Sequence, residues 1–95
     1  MSASTPPVTP PRTPQTMVNE LYGPGTARVR IYPQEASALA VERTVKSLAG
    51  QVGFAIDDLH RDPQIPKVTF SAATGAALVS FLAQLQVKLD SLVPQ

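Results

Sequence analysis

Along residues 76–93, Leu78, Leu82, Leu85, Leu89 and Leu92 recur at alternating steps of four and three. On an α-helix with about 3.6 residues per turn those positions form one stripe. Ala76, Val79, Ala83 and Val87 follow the same rhythm around the opposite side, and Ser80, Gln84, Lys88 and Ser91 form the chief polar strip. A helix that is apolar on two sides needs two neighbours. The leucines suit a sheet within the same chain, and the Ala/Val stripe suits a second molecule.

The rest of the chain supplies that sheet. Within residues 26–32, Val29 and Ile31 alternate with Arg28, Arg30 and Tyr32, the period of a strand with one buried and one wet face. Residues 16–22 read as its hairpin partner across Gly23-Pro24-Gly25, although Val18, Leu21 and Tyr22 also suit a helical turn. Residues 35–49 read as a helix with Ala38, Val41, Val45 and Leu48 in one stripe. Glu35 lies in its first turn, and Gly50 or Gly53 is its stop. Phe54 and Ile56 form a short apolar plug. The segment 57–62 reads as polar loop or weak edge strand, closed by Pro63 and Pro66. Residues 67–71, with Val68 and Phe70 alternating against Thr69 and Ser71, form a third strand, and Thr74 or Ser71 caps the last helix before Pro94 stops it.

The order β-β-α-β-α predicts an α/β (α+β) two-layer sandwich, a small mixed sheet of about three strands with both helices on one face. A helical link between parallel neighbours would cross over right-handed. Residues 1–15, with Pro6, Pro7, Pro10, Pro11 and Pro14 among threonines and serines, read as a disordered tail, leaving 16–95 as a single small domain.

Composition narrows the function more than it names it. A 95-residue chain buries a small core and often gains stability from a metal, disulfides or a second subunit. With no cysteine, disulfides, Cys-ligated zinc, iron–sulfur clusters and thiol chemistry are excluded, which leaves a homodimer as the expected remedy. A net charge of +1 gives no strong field for neutralising many phosphates on a duplex. The amino end has no basic start followed by an apolar run, so a cytoplasmic location is expected. Residues 68–87 are uncharged, but their polar residues and one-sided leucines favour an amphipathic helix over a membrane span.

Candidate chemistry is sparse. In the tail, Pro7, Pro10 and Arg12 have the spacing by which a polyproline II segment docks two prolines and an arginine. Thr5, Thr9 and Thr13 each precede a proline and can accept phosphate from a proline-directed kinase. Asp57, Asp58, His60 and Asp62 carry metal-binding letters, with Asp58, His60 and Asp62 on one side of an extended segment. That run lacks the glycine and distant glutamate of a calcium loop, the chain has no second histidine, and a solvated acidic turn explains it as well. His60 has no matched nucleophile, and Gly23-Pro24-Gly25 lacks the lysine and spacing of a P-loop.

Residues 41–58, with Ser47-Leu48-Ala49-Gly50-Gln51-Val52-Gly53-Phe54 inside them, resemble the early helix of bacterial anti-sigma factor kinases over less than a quarter of the chain. That family's next helix carries a glutamate and a magnesium-binding asparagine. Ala73, Thr74, Gly75 and Ala76 stand in the comparable region here, so no ATP site is carried over.

Arg28, Arg30 and Tyr32 on one strand face can meet phosphates and stack on an unpaired base, and Arg43 and Lys46 would extend the patch if the first helix lay beside it. A wet sheet face that uses arginine for solubility has the same letters. The leading expectation is a non-catalytic protein-protein interaction module, a homodimeric adaptor or regulatory protein whose interface is Ala76, Val79, Ala83 and Val87, with no cofactor. The alternatives are single-stranded nucleic-acid binding through Arg28, Arg30 and Tyr32, and a metal-dependent enzyme using residues 57–62.

Overall fold

The structure is a computed structural model that describes residues 12–19, 25–62 and 64–93. In chain order its elements are β1 (Gln15–Asn19), β2 (Thr26–Tyr32), α1 (Ala38–Val52), β3 (Asp57–Arg61), β4 (Val68–Ala73) and α2 (Ala76–Asp90). The strands form one sheet in the order β1-β2-β4-β3, and each neighbouring pair is antiparallel.

The two-layer architecture expected from the sequence is present, with two differences that share a cause. Residues 57–61 form an edge strand, so the order is β-β-α-β-β-α and the sheet has four strands. The extra strand reverses the chain once more before β4, so β4 meets β2 antiparallel and the expected mixed sheet becomes wholly antiparallel. No parallel neighbours remain among the described strands, but β2 and β3, both antiparallel to β4, run parallel with β4 between them, and α1 is the crossover to which the right-handed rule applies.

Alternation in β2 sorts the two faces. Ala27, Val29 and Ile31 are fully buried, while Arg28, Arg30 and Tyr32 are half-buried on the other side. Register places Val29 opposite Phe70 and Ile31 opposite Val68, so the two central strands build the floor of the core. Both helices lie on that floor, α1 through Val41, Val45, Leu48 and Ala49, and α2 through Leu78, Phe81, Leu85 and Leu89.

The core stripe of α2 therefore includes Phe81, which belongs to neither stripe read from the leucines. Leu82 and Leu92 are only partly buried at its margin. Phe81 stacks on Phe54 at 4.7 Å between ring centroids and meets Phe70 edge-on at 6.0 Å. It ties the end of α1, the centre of the sheet and α2 together, and such aromatic contacts add roughly 0.5–1.5 kcal/mol each beyond their burial.

Helix ends show the local chemistry that sets them. Ser37 is extended and its Oγ accepts from the Ala40 amide at 3.0 Å, so α1 starts three residues later than the periodicity predicts. Gly50 stays helical and Gly53 stops the helix: at φ 70° it takes the left-handed turn while the Phe54 amide donates to the Ala49 carbonyl at 3.0 Å. The same turn aims Phe54 at Phe81. At the start of α2 the cap is Gly75 at φ 140°, with no side-chain cap bond, and neither Thr74 nor Ser71 serves as expected.

Of the predicted tail, residues 1–11 lie outside the described residues. Pro14 is buried, its carbonyl accepts from Gln86 Nε2 of α2 at 3.3 Å, and Gln15 already belongs to β1. The Gly23-Pro24 turn and Pro94 also lie outside the described residues, while Gly25 is described and its carbonyl accepts from the Thr74 amide at 2.9 Å. Among the described residues, no helix is long and apolar enough to cross a membrane.

Candidate interaction surfaces

Among the described residues, three surfaces remain once the core is closed: the sheet face without helices, the α1–β3 margin, and the outer side of α2 beside β1.

On the open sheet face, Arg28, Arg30 and Tyr32 stand together as their alternation requires. Register continues the Arg30 row through Met17 on β1, Thr69 on β4 and His60 on β3. Thr69 is 3% exposed although no helix covers it, because its row places the longer Arg30 and His60 side chains on either side. His60 Nδ1 lies 2.8 Å from the Asp58 carbonyl and Nε2 lies 3.0 Å from Thr69 Oγ1. A proton on Nδ1 donates to the carbonyl and leaves Nε2 to accept from the threonine hydroxyl. The cross-strand pair needs the register of β3 on β4, which sequence spacing does not reveal. Arg43 and Lys46 do not extend this patch. They are exposed on α1, on the far side of the sheet.

The Asp57–Asp62 segment is pulled apart by its own backbone. A register shift between Asp57 and His60 marks a bulge, and Asp58 within it has φ 55°. The expected alignment of Asp58, His60 and Asp62 therefore fails, and Asp57 and His60 instead stand opposite Ser71 and Thr69. Asp62 is engaged in a turn: its Oδ1 accepts from the Gln64 amide at 2.9 Å and the Ile65 amide at 3.1 Å, with Lys67 Nζ 3.9 Å from Oδ2. Those two amides hold its carboxyl below the ordinary aspartate value of 3.8, and the charges of Lys67 and His60 act the same way. Among the described residues, no group of three or more acidic or histidine side chains is placed to hold a metal ion.

Between α1 and β3 lies an open groove of ≈ 540 Å³ lined by Leu39, Ala49, Ile56 and Leu59 together with Glu42, Arg43 and Lys46. A second hollow of ≈ 400 Å³ shares Glu42 and Leu59 and reaches His60, Arg61 and Asp62. Glu42 is tied across the groove to Arg61, Oε1 to Nε at 2.9 Å. From the sequence Ile56 belongs to a short apolar plug, and Leu59 has no place in a reading of residues 57–62 as polar loop or weak edge strand.

On the outer side of α2, Val79 is 69% and Val87 71% exposed, and Ala76 and Ala83 are exposed with them. The Ala/Val stripe expected from the sequence thus lies on the surface of the subunit. Beside it, β1 adds Met17, 53% exposed, and Val18, 44% exposed. Arg12 is exposed and its carbonyl accepts from the Glu35 amide at 3.3 Å, while Pro7 and Pro10 of the tail motif lie outside the described residues. In comparisons with known proteins, no family model, no curated protein and no solved structure matches the chain.

Proposed function

We propose that this protein is a non-catalytic protein-protein interaction module, an adaptor or regulatory protein of the cytoplasm that works as a homodimer through Ala76, Val79, Ala83 and Val87. The exposure of Val79 and Val87, on a helix whose other face is wholly committed to the core, carries this reading. Covering a valine side chain stabilises by roughly 1.5–3 kcal/mol when complete, so two that stand in water are a standing drive toward association. A chain this small gains correspondingly from a second subunit. The open sheet face or the proline-rich tail then serves a further protein partner.

A second reading is favoured by one observation: Arg28, Arg30 and Tyr32 share the sheet face that no helix covers among the described residues. Single-stranded nucleic acid would use that face for phosphate contacts and stacking. Titration with labelled oligonucleotides at two salt concentrations separates the two, because phosphate contacts weaken steeply as salt rises.

The homodimer is tested by sedimentation of the full chain over a concentration series. A monomer–dimer equilibrium is expected. A monomer at every concentration removes the α2 interface.

A further inference from the structure

Resting on that homodimer, we infer that its interface is not α2 alone: the β1 strands of two copies pair antiparallel about a twofold axis at Met17, joining the two sheets into one of eight strands, with the two α2 helices side by side above the join.

The first ground is the position of Val18. It stands opposite Val29, which is fully buried, and so lies on the face that the helices cover, yet it is 44% exposed. The helices cover β1 only in part. Among the described residues nothing else covers Val18, and a second copy placed beyond the edge can.

The second ground is that α2 and β1 form one continuous wall. Gln86 of α2 reaches the Pro14 carbonyl just ahead of β1, so α2 is the helix on the β1 side. Four strands at about 4.8 Å span about 19 Å, which two helices packed about 8–10 Å apart just cover. Pairing the β1 edges therefore brings one α2 alongside the other at ordinary packing distance. At about 100° per residue, Val79 and Ala83 lie toward the β1 flank of α2, whereas Val87 lies nearly opposite the core positions Leu78, Phe81, Leu85 and Leu89.

The third ground is charge. A twofold interface sets a surface against itself. Gln15, Thr16, Met17, Val18 and Asn19 carry no charge, and neither does any residue of α2 before Lys88. In an antiparallel pairing centred on Met17, Thr16 meets Val18 and Gln15 meets Asn19, a β-branched pair and an amide pair. A second copy of the same strand is thus an occupant with no charge left to desolvate. A wall about 20 Å on a side buries only on the order of 800 Å² in total, less than most stable specific interfaces, so weak association with a dissociation constant of micromolar or above is expected.

The test uses the absence of native cysteine. Met17→Cys and Ala83→Cys are made separately in the full chain and oxidised at a concentration where sedimentation finds dimer, with Val52→Cys, exposed on α1, giving the background rate. Paired antiparallel residues lie about 4.5–5.5 Å apart at Cα, inside the window a disulfide requires. Both test variants are expected to give covalent dimers well above background. A dimeric protein in which Ala83→Cys cross-links and Met17→Cys does not overturns the strand pairing and leaves the helix dimer standing. Met17→Cys cross-linking alone overturns the side-by-side helices. A monomer in which neither exceeds background overturns this inference together with the homodimer beneath it.

Discussion

β3 closes one edge of the sheet with Asp57, Asp58, His60 and Arg61 among its five residues, whereas β1 ends the other edge with Gln15, Thr16, Met17, Val18 and Asn19. The β3 edge carries charged side chains and a bulge, and Arg61 is held back on Glu42 of α1. These are devices by which proteins discourage another strand from adding to a sheet. The β1 edge carries none of them, and two exposed apolar side chains, Met17 and Val18, stand on it. The contrast teaches that an open edge is not by itself an invitation. Four charged or titratable groups would have to leave water at β3, and none at β1.

Perturbations can be ranked by how they bear on that difference. The largest effect should come from the contact on which both edges depend. Phe81→Ala removes the ring that Phe54 and Phe70 both touch and is expected to cost about 3–5 kcal/mol, read as a lowered denaturant midpoint. If the loss were below about 1 kcal/mol, the aromatic centre would not be what joins α2 to the sheet.

Next in size is a charge placed on each side. Ala83→Glu on the β1 side is expected to weaken self-association on the order of a hundredfold, about 2.7 kcal/mol, while leaving the subunit folded. Leu39→Glu, beside the groove at the β3 side, should leave sedimentation unchanged. A reversed outcome would move the interface to the other edge.

Smaller effects probe β3 itself. Asp58 holds φ 55°, a conformation that costs an L-residue free energy and glycine almost none. Asp58→Gly should therefore stabilise the protein, by up to about 1 kcal/mol; a loss would mean that the side chain holds the bulge.

The smallest effect is the pH dependence of Asp62. Its folded carboxyl titrates below 3.8, so its contribution is complete above that value and is lost as pH falls through the lower folded one. Wild-type protein should lose urea resistance across that acid window, and Asp62→Asn should lose less. Equal slopes would detach the Gln64 and Ile65 turn from stability.

Much of this fold can be read from the sequence where one physical rule acts alone. The bounds of β2 follow from strict alternation between Val29 or Ile31 and Arg28, Arg30 or Tyr32, and Val41, Val45 and Leu48 are core as their spacing demands. Where two rules compete, the pattern is ambiguous or misleads. The polar letters and flanking prolines of residues 57–62 leave polar loop and weak edge strand both open, because an edge strand can keep charges on water and still pair along one side. In α2 the leucines outnumber Phe81, but the ring fills the space between two other rings, and volume rather than count decides what the core takes.

The interaction surfaces were legible by a different margin. That Ala76, Val79, Ala83 and Val87 lie away from the leucine side follows from helical spacing, and their exposure is what the structure adds. The importance of Met17 and Val18 was not legible, since it rests on β1 being an edge and on where the helices stop, both properties of the assembled sheet.

Hydrogen exchange of the wild-type protein, followed at high concentration and again after roughly hundredfold dilution, compares the two edges directly. About half the amides of an edge strand point away from its neighbour, and only pairing with another strand protects them. The account predicts that the outward amides of β1 exchange more slowly in the concentrated sample while those of β3 exchange at one rate in both. Protection that appears at β3, or a β1 whose exchange ignores concentration, would contradict it.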